Sequence, residues 1–330
     1  MAERVLVTGA SGYIAGHVVA ELRSHGYLVR GTARRPVEGL DDVVVADLSR
    51  DDGWSAAVEG CDYVMHVASP LPDGTPKSDD ELVRPAVDGT LRVLRAAAAA
   101  GVKRVVMTSS IAAVSAGHAD GVRLTEADWS VVDRSSAYEK SKTLAERAAW
   151  DFARESGVEL VAINPGLVLG PLHTPSIGTS VQALYQLLAR KVPASPKIGF
   201  AVVDVRDVAA AHRLAMESPI AAGNRYIVAG EHVWMREMAA VLAEEFNPRG
   251  YRVPTGEMPT WVLRLIAPFD RTIRLALGFV GRRELVSADK AERELDWTMR
   301  PVRDTLVDTA NSLIELGLVP GPSKKKAAVG

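Results

Sequence analysis

Tyr138 and Lys142 stand four residues apart, which puts a phenol and an ammonium on one face of any helix that carries them. An ammonium held beside a phenol favours the phenolate and readies the phenol to give up its proton near neutral pH. Such a pair can hand a proton to a carbonyl oxygen while hydride arrives from a nicotinamide, provided that a hydroxyl fixes the carbonyl. Thr108-Ser109-Ser110 offers that hydroxyl at a strand end, and Lys142 has the reach to hold the nicotinamide ribose too. Successive side chains of a strand point to opposite faces, so only one of Ser109 and Ser110 can face a substrate. By itself a Tyr–Lys pair is commonplace on helix surfaces. Its weight comes from the nucleotide loop that precedes it in the chain.

That loop is Thr8-Gly9-Ala10-Ser11-Gly12-Tyr13-Ile14-Ala15-Gly16, directly after an aliphatic run and before an amphipathic stretch. Gly9 permits the tight turn, Gly12 lets the backbone approach a pyrophosphate, and Ala15 allows the helix to pack on the sheet. Gly9, Ser11, Gly12, Tyr13 and Ile14 are therefore cofactor candidates, with the helix start aimed at the phosphates. An acid that would bind ribose hydroxyls in an NAD site is expected about twenty residues on. Gly31-Thr32-Ala33-Arg34-Arg35 stands there instead. A guanidinium can fork onto a 2′-phosphate, which makes the expected cofactor NADPH/NADP+, with Arg34 the better candidate and solvated charge the alternative. Asp47-Leu48 ends the third strand, where the carboxylate is suited either to the adenine amino group or to capping the next helix.

The elements that must position these groups follow from the alternation along the chain. Short aliphatic runs at Arg4–Val7, Leu28–Ala33, Val43–Ala46, Tyr63–Val67, Arg104–Thr108 and Glu159–Ile163 are expected strands. Helical spacing fills Tyr13–Ser24, Trp54–Glu59, Asp79–Ala100 and Tyr138–Glu155. The expected fold is α/β, a Rossmann-type doubly wound parallel sheet with a smaller, mostly helical substrate lobe. The first domain is expected over 1–165 and the lobe over 166–320, with 203–228 returning to the core and a flexible tail at 321–330. After Pro165 the crowding of Gly166, Gly170, Pro171, Pro175 and Gly178 predicts a loop without regular structure. Helices are expected near Ser180–Arg190, Arg206–Glu217, Met235–Phe246, Thr260–Phe279, Ala288–Leu295 and Val302–Leu316, with a strand at Arg225–Val228.

Composition narrows the function classes. With 47% hydrophobic and 24% charged residues and a net charge of -2, the chain is globular and offers no long basic stripe for nucleic acid outside its last few residues. No stretch has the length of uncharged residues that a membrane span needs. Cys61 is the single cysteine, so no internal disulfide is expected, and no signal peptide is read at the start. The expected compartment is a reducing cytoplasm, and no metal is expected.

Together these segments resemble the extended short-chain dehydrogenases/reductases, in particular the branch of dihydroflavonol 4-reductase, cinnamoyl-CoA reductase and microbial NADPH-dependent aldehyde/ketone reductases. The resemblance runs from Val5 to about Gly317. Ala137-Tyr138-Glu139-Lys140-Ser141-Lys142-Thr143-Leu144-Ala145-Glu146 is its most specific stretch. It implies a catalytic Ser110, Tyr138 and Lys142, and it associates Arg34 with NADP. It implies that His66-Val67-Ala68-Ser69-Pro70 passes under the cofactor, with Val67, Ala68 and Ser69 beside it and Pro70 and Leu71 toward substrate. Thr108 and Ser109 join the cofactor set. Asn164-Pro165-Gly166-Leu167-Val168 is similar to the loop that lines the nicotinamide, which adds Pro165, Gly166 and Val168. Asp41-Asp42 departs from relatives that carry a further basic residue there.

The expected reaction is reduction of an apolar or aromatic aldehyde or ketone to its alcohol. Substrate candidates are Pro70, Leu71, Ser110, Tyr138 and Leu172, while Trp261, Leu265, Ile266, Phe269 and Leu277 form either a cover for a nonpolar substrate or plain lobe core. A sugar-nucleotide epimerase or dehydratase shares the fold and the Tyr–Lys pair but recycles bound NAD and usually has an acid where Arg34 stands. A cofactor-sensing regulator typically lacks the pair. A monomer or a homodimer is expected, the dimer through the helices near Asp79–Ala100 and Tyr138–Glu155.

Overall fold

The structure, a computed structural model, describes residues 2–35, 37, 39–70, 78–269, 274 and 277–321. Contacts divide the chain into two units, the first comprising Met1–Gly166, Val205–Ala229 and Val286–Thr298 and the second the rest.

In the first unit the strands are β1 (Arg4–Val7), β2 (Leu28–Ala33), β3 (Val43–Val45), β4 (Tyr63–His66), β5 (Arg104–Thr108) and β6 (Glu159–Pro165). The helices are α1 (Tyr13–Ser24), α2 (Trp54–Val58), α3 (Asp80–Ala99) and α4 (Ala137–Ser156). The second unit opens with β7 (Leu167–Leu169), α5 (Gln182–Leu188) and β8 (Gly199–Asp204). The chain then returns to the first unit as α6 (Val205–Glu217) and β9 (Arg225–Val228). Then come β10 (His232–Trp234), α7 (Met235–Phe246) and α8 (Thr260–Ile266) of the second unit, α9 (Asp289–Leu295) of the first, and α10 (Val302–Glu315) of the second.

Among the described residues the main sheet has seven strands in the order β9-β6-β5-β4-β1-β2-β3. All are parallel, with Val5 paired to Val29 on one side and Tyr63 on the other. Burial on both faces explains the unbroken aliphatic runs: Val5, Leu6, Val64, Val105 and Val161 are all inaccessible to water. One core layer joins Leu6, Val64, Val105 and Leu160 to Trp54 of α2, Leu94 of α3 and Ala149 of α4. α3 and α4 pack side by side, and α1 packs against α6. The strand order reverses between β1 and β4, and ligands bind at the strand C-termini beside such a switch.

The segment Val286–Thr298 belongs to the first unit, whereas the sequence reading kept it in the lobe. Trp297 holds it there: the buried indole donates to the Asp207 carbonyl at 2.8 Å. The Tyr226 hydroxyl also donates to Glu294 at 2.9 Å.

The second unit holds a three-stranded sheet, β10-β8-β7, with Leu184, Leu187, Leu242, Phe246, Leu306 and Leu313 in its core. Here the expected loop after Pro165 is overturned. Leu167–Leu169 is a strand, paired in parallel with Val202–Asp204, and β8 was not anticipated either. Three residues between two glycines carry no local signal, because the partner that makes them a strand lies more than thirty positions away. Gly170, at φ 135, ends β7, and its N–H donates to Thr309 at 2.7 Å. α8 buries Leu263 and leaves Trp261, Leu265 and Ile266 exposed, and Phe269 beyond it is exposed as well, so those four are not lobe core. No helix among the described residues is long and apolar enough to cross a membrane.

Candidate active site

The first loop is shaped by contact with the loop after β4. Gly9 sits at φ +66, and a Cβ there would lie 2.9 Å from the Cβ of Ala68. At Gly12 a Cβ would lie 3.1 Å from the Gly9 carbonyl oxygen. Both glycines keep open a cradle that side chains would fill. Gly12 is the N-cap of α1 and supplies no side-chain cap, so the positive end of the helix, at Tyr13 and Ile14, faces the loop, where an anion would be held. Ser11 is exposed beside them.

Arg34 is exposed just past the end of β2 and makes no hydrogen bond or ion pair among the described residues. A free guanidinium at the ribose end of a dinucleotide cradle suits a phosphate. Asp42, by contrast, is committed to Arg30 at 2.9 and 3.1 Å. The Asp47 carboxylate accepts from the Ser49 amide and hydroxyl, both at 2.8 Å, which holds its pKa below the usual carboxylate range, with Arg34 nearby adding to the effect. Asp47 thus shapes its own turn rather than the start of α2. Leu48 is half-buried, and a Cβ on Gly89 of α3 would lie 3.0 Å from its Cβ.

Under the loop lies buried His66, the first residue of the segment expected to pass under the cofactor, to which the sequence assigns no role. The Thr8 hydroxyl accepts from the Ala68 amide at 3.0 Å and lies 3.1 Å from Nδ1 of His66, whose Nε2 is 3.4 Å from Thr90. If Thr8 donates to Nδ1, Nε2 carries the proton toward Thr90. Burial, helped by the Lys142 charge, pushes the His66 pKa down to about 3, so the ring is neutral. Val67, Ala68 and Pro70 are half-buried along this stretch and Ser69 is exposed. Leu71 lies outside the described residues.

α4 begins with a capping box: Ser136 accepts from the Glu139 amide, and the Glu139 carboxylate accepts from the Ser136 amide at 2.6 Å. Tyr138 therefore starts a fixed helix, and it is 43% exposed. One turn on, the Lys142 ammonium donates to the Ser69 hydroxyl at 3.2 Å. α4 is thereby tied to the loop that borders the cradle. At the end of β5, Ser110 is extended, with φ -165 and ψ 155, and its Oγ accepts from the Ala112 amide at 3.1 Å. Among the described residues its hydroxyl proton has no acceptor.

Ser109 points the other way. It is buried, and its hydroxyl donates to the carboxylate of Glu146, a residue with no exposed surface. The side chain of Thr108 meets His212 of α6 at 2.6 Å, where Nδ1 donates to the Val208 carbonyl and Nε2 accepts from the threonine. Burial lowers the His212 pKa to about 4. Pro165 is buried at the end of β6, and the adjoining Gly166 amide donates to Val228 at 3.2 Å. In the second unit Val168 is buried in β7, and buried Leu172 donates its amide to Ser312 at 3.0 Å. Glu146, His66, His212 and Arg225 were missed as partners of the site. Glu146 had a signal, since it continues the Tyr138–Lys142 face at the next four-residue step.

Residues 5–230 match the model of the NAD dependent epimerase/dehydratase family. Cinnamoyl-CoA reductase 1 of Arabidopsis thaliana is 40% identical over 273 residues, covering 76% of each chain. Cinnamoyl-CoA reductase 1 of Petunia hybrida is 35% identical over 97% of this chain and 95% of its own. The chain belongs to the extended short-chain dehydrogenases/reductases. Within them it falls in the branch of dihydroflavonol 4-reductase and cinnamoyl-CoA reductase, and it is an NAD(P)-dependent oxidoreductase. Among solved structures, yeast methylglyoxal/isovaleraldehyde reductase complexed with NADPH is similar at TM-score 0.78 and 27% identity, over 95% of this reductase and 99% of that chain.

Proposed function

We propose that the chain reduces the carbonyl of an apolar or aromatic aldehyde or ketone to an alcohol with NADPH, through Ser110, Tyr138 and Lys142. The observation that carries this reading is the ammonium of Lys142 at 3.2 Å from Ser69, one turn after exposed Tyr138, beside the glycine cradle. NADPH bound in that cradle supplies the hydride that the carbonyl carbon accepts. Gly9, Gly12 and the start of α1 hold the pyrophosphate, and Arg34 holds the 2′-phosphate. Ser110 donates its remaining proton as a hydrogen bond to the carbonyl oxygen. Tyr138 gives that oxygen the proton that completes the alcohol, and Lys142 stabilises the phenolate left behind.

The relatives named above support reduction and point to aldehydes, dicarbonyls and aromatic acyl-CoA thioesters as the compounds to try. The test is loss of reduced-nicotinamide absorbance with purified protein against those three classes and apolar ketones. NADPH consumption with formation of the matching alcohol is the expected result; a thioester would yield an aldehyde with release of the CoA thiol. Interconversion of a UDP-sugar without NADPH consumption would favour an epimerase, and NADPH binding with no turnover of any carbonyl would favour a sensor.

A further inference from the structure

We propose that Glu146 and Asn164 are positioning residues for Ser110, acting through a buried polar network that ties the helix of the proton donor to the strand that holds the carbonyl. The proposal rests on the carbonyl-reductase reading above.

The Glu146 carboxylate, inaccessible to solvent, takes donors from Ser109 just past β5, from β6 and β9, and from its own helix. One oxygen accepts from the Ser109 hydroxyl and from Asn164 Nδ2 at 2.8 Å. The other accepts from Arg225 Nε at 2.5 Å and from the Trp150 indole at 3.2 Å. Two carboxylate oxygens offer about four lone-pair sites, and these donors occupy them. Arg225, also buried, spends its NH1 on the carbonyls of Glu126 and Asp128 at 3.0 and 2.8 Å, and its guanidinium lies 3.7 Å from the Trp129 ring centre. The ion pair is therefore complete on both sides.

Asn164 carries the network to the site. Its side-chain amide donates to Glu146 and also to the Ser110 carbonyl at 3.1 Å. The Ser110 carbonyl is thus clamped from behind while its Oγ accepts from Ala112 in front. Together the two contacts fix the direction of the one remaining Ser110 proton. A buried ion pair is seldom needed for stability, since a well-packed apolar replacement holds a fold as well or better. What such a replacement cannot do is supply a fixed acceptor for Ser109 and Asn164 on either side of the catalytic serine. Glu146 lies two turns along α4 from Tyr138, whose end of the helix is set by the capping box at Ser136, so the carboxylate sets the strand end at Ser110 that must meet the phenol at the substrate oxygen. A shift of about 1 Å in such a meeting can cost ~100-fold in rate.

The test is a double-mutant cycle read by single-turnover NADPH oxidation, with NADPH affinity measured separately. Glu146→Gln and Asn164→Ala should each lower turnover ~10-fold or more, with KM for the carbonyl raised and NADPH affinity within about two-fold of the parent. In a Ser110→Ala background the same substitutions should cost less than about two-fold, because the group they position is gone. Additive losses, or NADPH affinity falling in step with turnover, would overturn the proposal and leave the network a structural one. Asn164→Ala keeps the Glu146–Arg225 pair, so it decides the matter if Glu146→Gln does not fold. A different pattern marks failure of the underlying reading. Tyr138→Phe and Ser110→Ala would then keep normal turnover, and the positioning role would fall with it.

Discussion

Gly9 and Ala68 meet where the loops after β1 and β4 cross, so closely that a Cβ on Gly9 would stand 2.9 Å from the Cβ of Ala68. The contact lies at the switch point of the sheet, and the φ of +66 at Gly9 adds a left-handed conformation that costs a non-glycine residue about 1–2 kcal/mol. Ala68 cannot retreat easily, because its amide donates to Thr8 at 3.0 Å. Gly9→Ala should therefore lower the melting temperature and weaken NADPH binding, measured by calorimetry and nucleotide titration. Unchanged values for both would remove the close approach as a constraint on the cradle.

Arg34 stands where an acid would select NAD, and among the described residues it has no internal partner. Arg34→Ala should weaken NADPH ~10–100-fold, the size of a lost charge-assisted contact, and leave NADH nearly unchanged. Equal losses for the two nucleotides would take Arg34 out of the 2′-phosphate site.

His66 and His212 make stability depend on pH. Both are held neutral in the folded chain, with pKa values pushed by burial down to about 3 and about 4. In the unfolded chain a histidine takes up a proton below about pH 6.5. The unfolded state then binds more protons, so stability is full above that pH and falls as pH drops toward the folded-state values. From pH 7 to 5 the loss should be about 2 kcal/mol per histidine. Urea unfolding at the two pH values should show a smaller decline for His212→Gln than for the parent. Identical declines would mean that His212 is not neutral in the fold.

The core of the first unit is legible because its inner strands are buried on both faces and each helix repeats a face. Val5, Val64 and Val105 announce themselves by type, and Gly9 and Gly12 by spacing. The second unit is less so, because β7 is three residues long and owes its existence to pairing with Val202–Asp204. Within the site, Tyr138 and Lys142 were readable from one helix, and alternation along β5 left the choice between Ser109 and Ser110 to their surroundings. Glu146 supplies those surroundings by engaging Ser109, through a partner set drawn from the end of β5, from β6 and from β9 that no local pattern displays.

The proposed proton donor, Tyr138, gives the sharpest prediction. Tyr138→Phe keeps the ring, and at 43% exposure the hydroxyl contributes little to packing, so the variant should fold and bind NADPH normally. Removal of a general acid typically costs ~10²–10⁴-fold, and turnover should fall by at least that much. Lys142→Ala should lower turnover and also weaken NADPH, because the proposed relay has the ammonium beside Ser69 serve the nicotinamide ribose as well as the phenol. Ser110→Ala should cost turnover with little change in NADPH affinity. Ser109→Ala should cost less, since its hydroxyl serves Glu146 rather than the substrate. Rapid-mixing measurement of NADPH oxidation, with binding followed by nucleotide fluorescence, separates these effects. Near-normal turnover in Tyr138→Phe would sink the proton relay, and equal losses in the two serine variants would sink the division of labour between them.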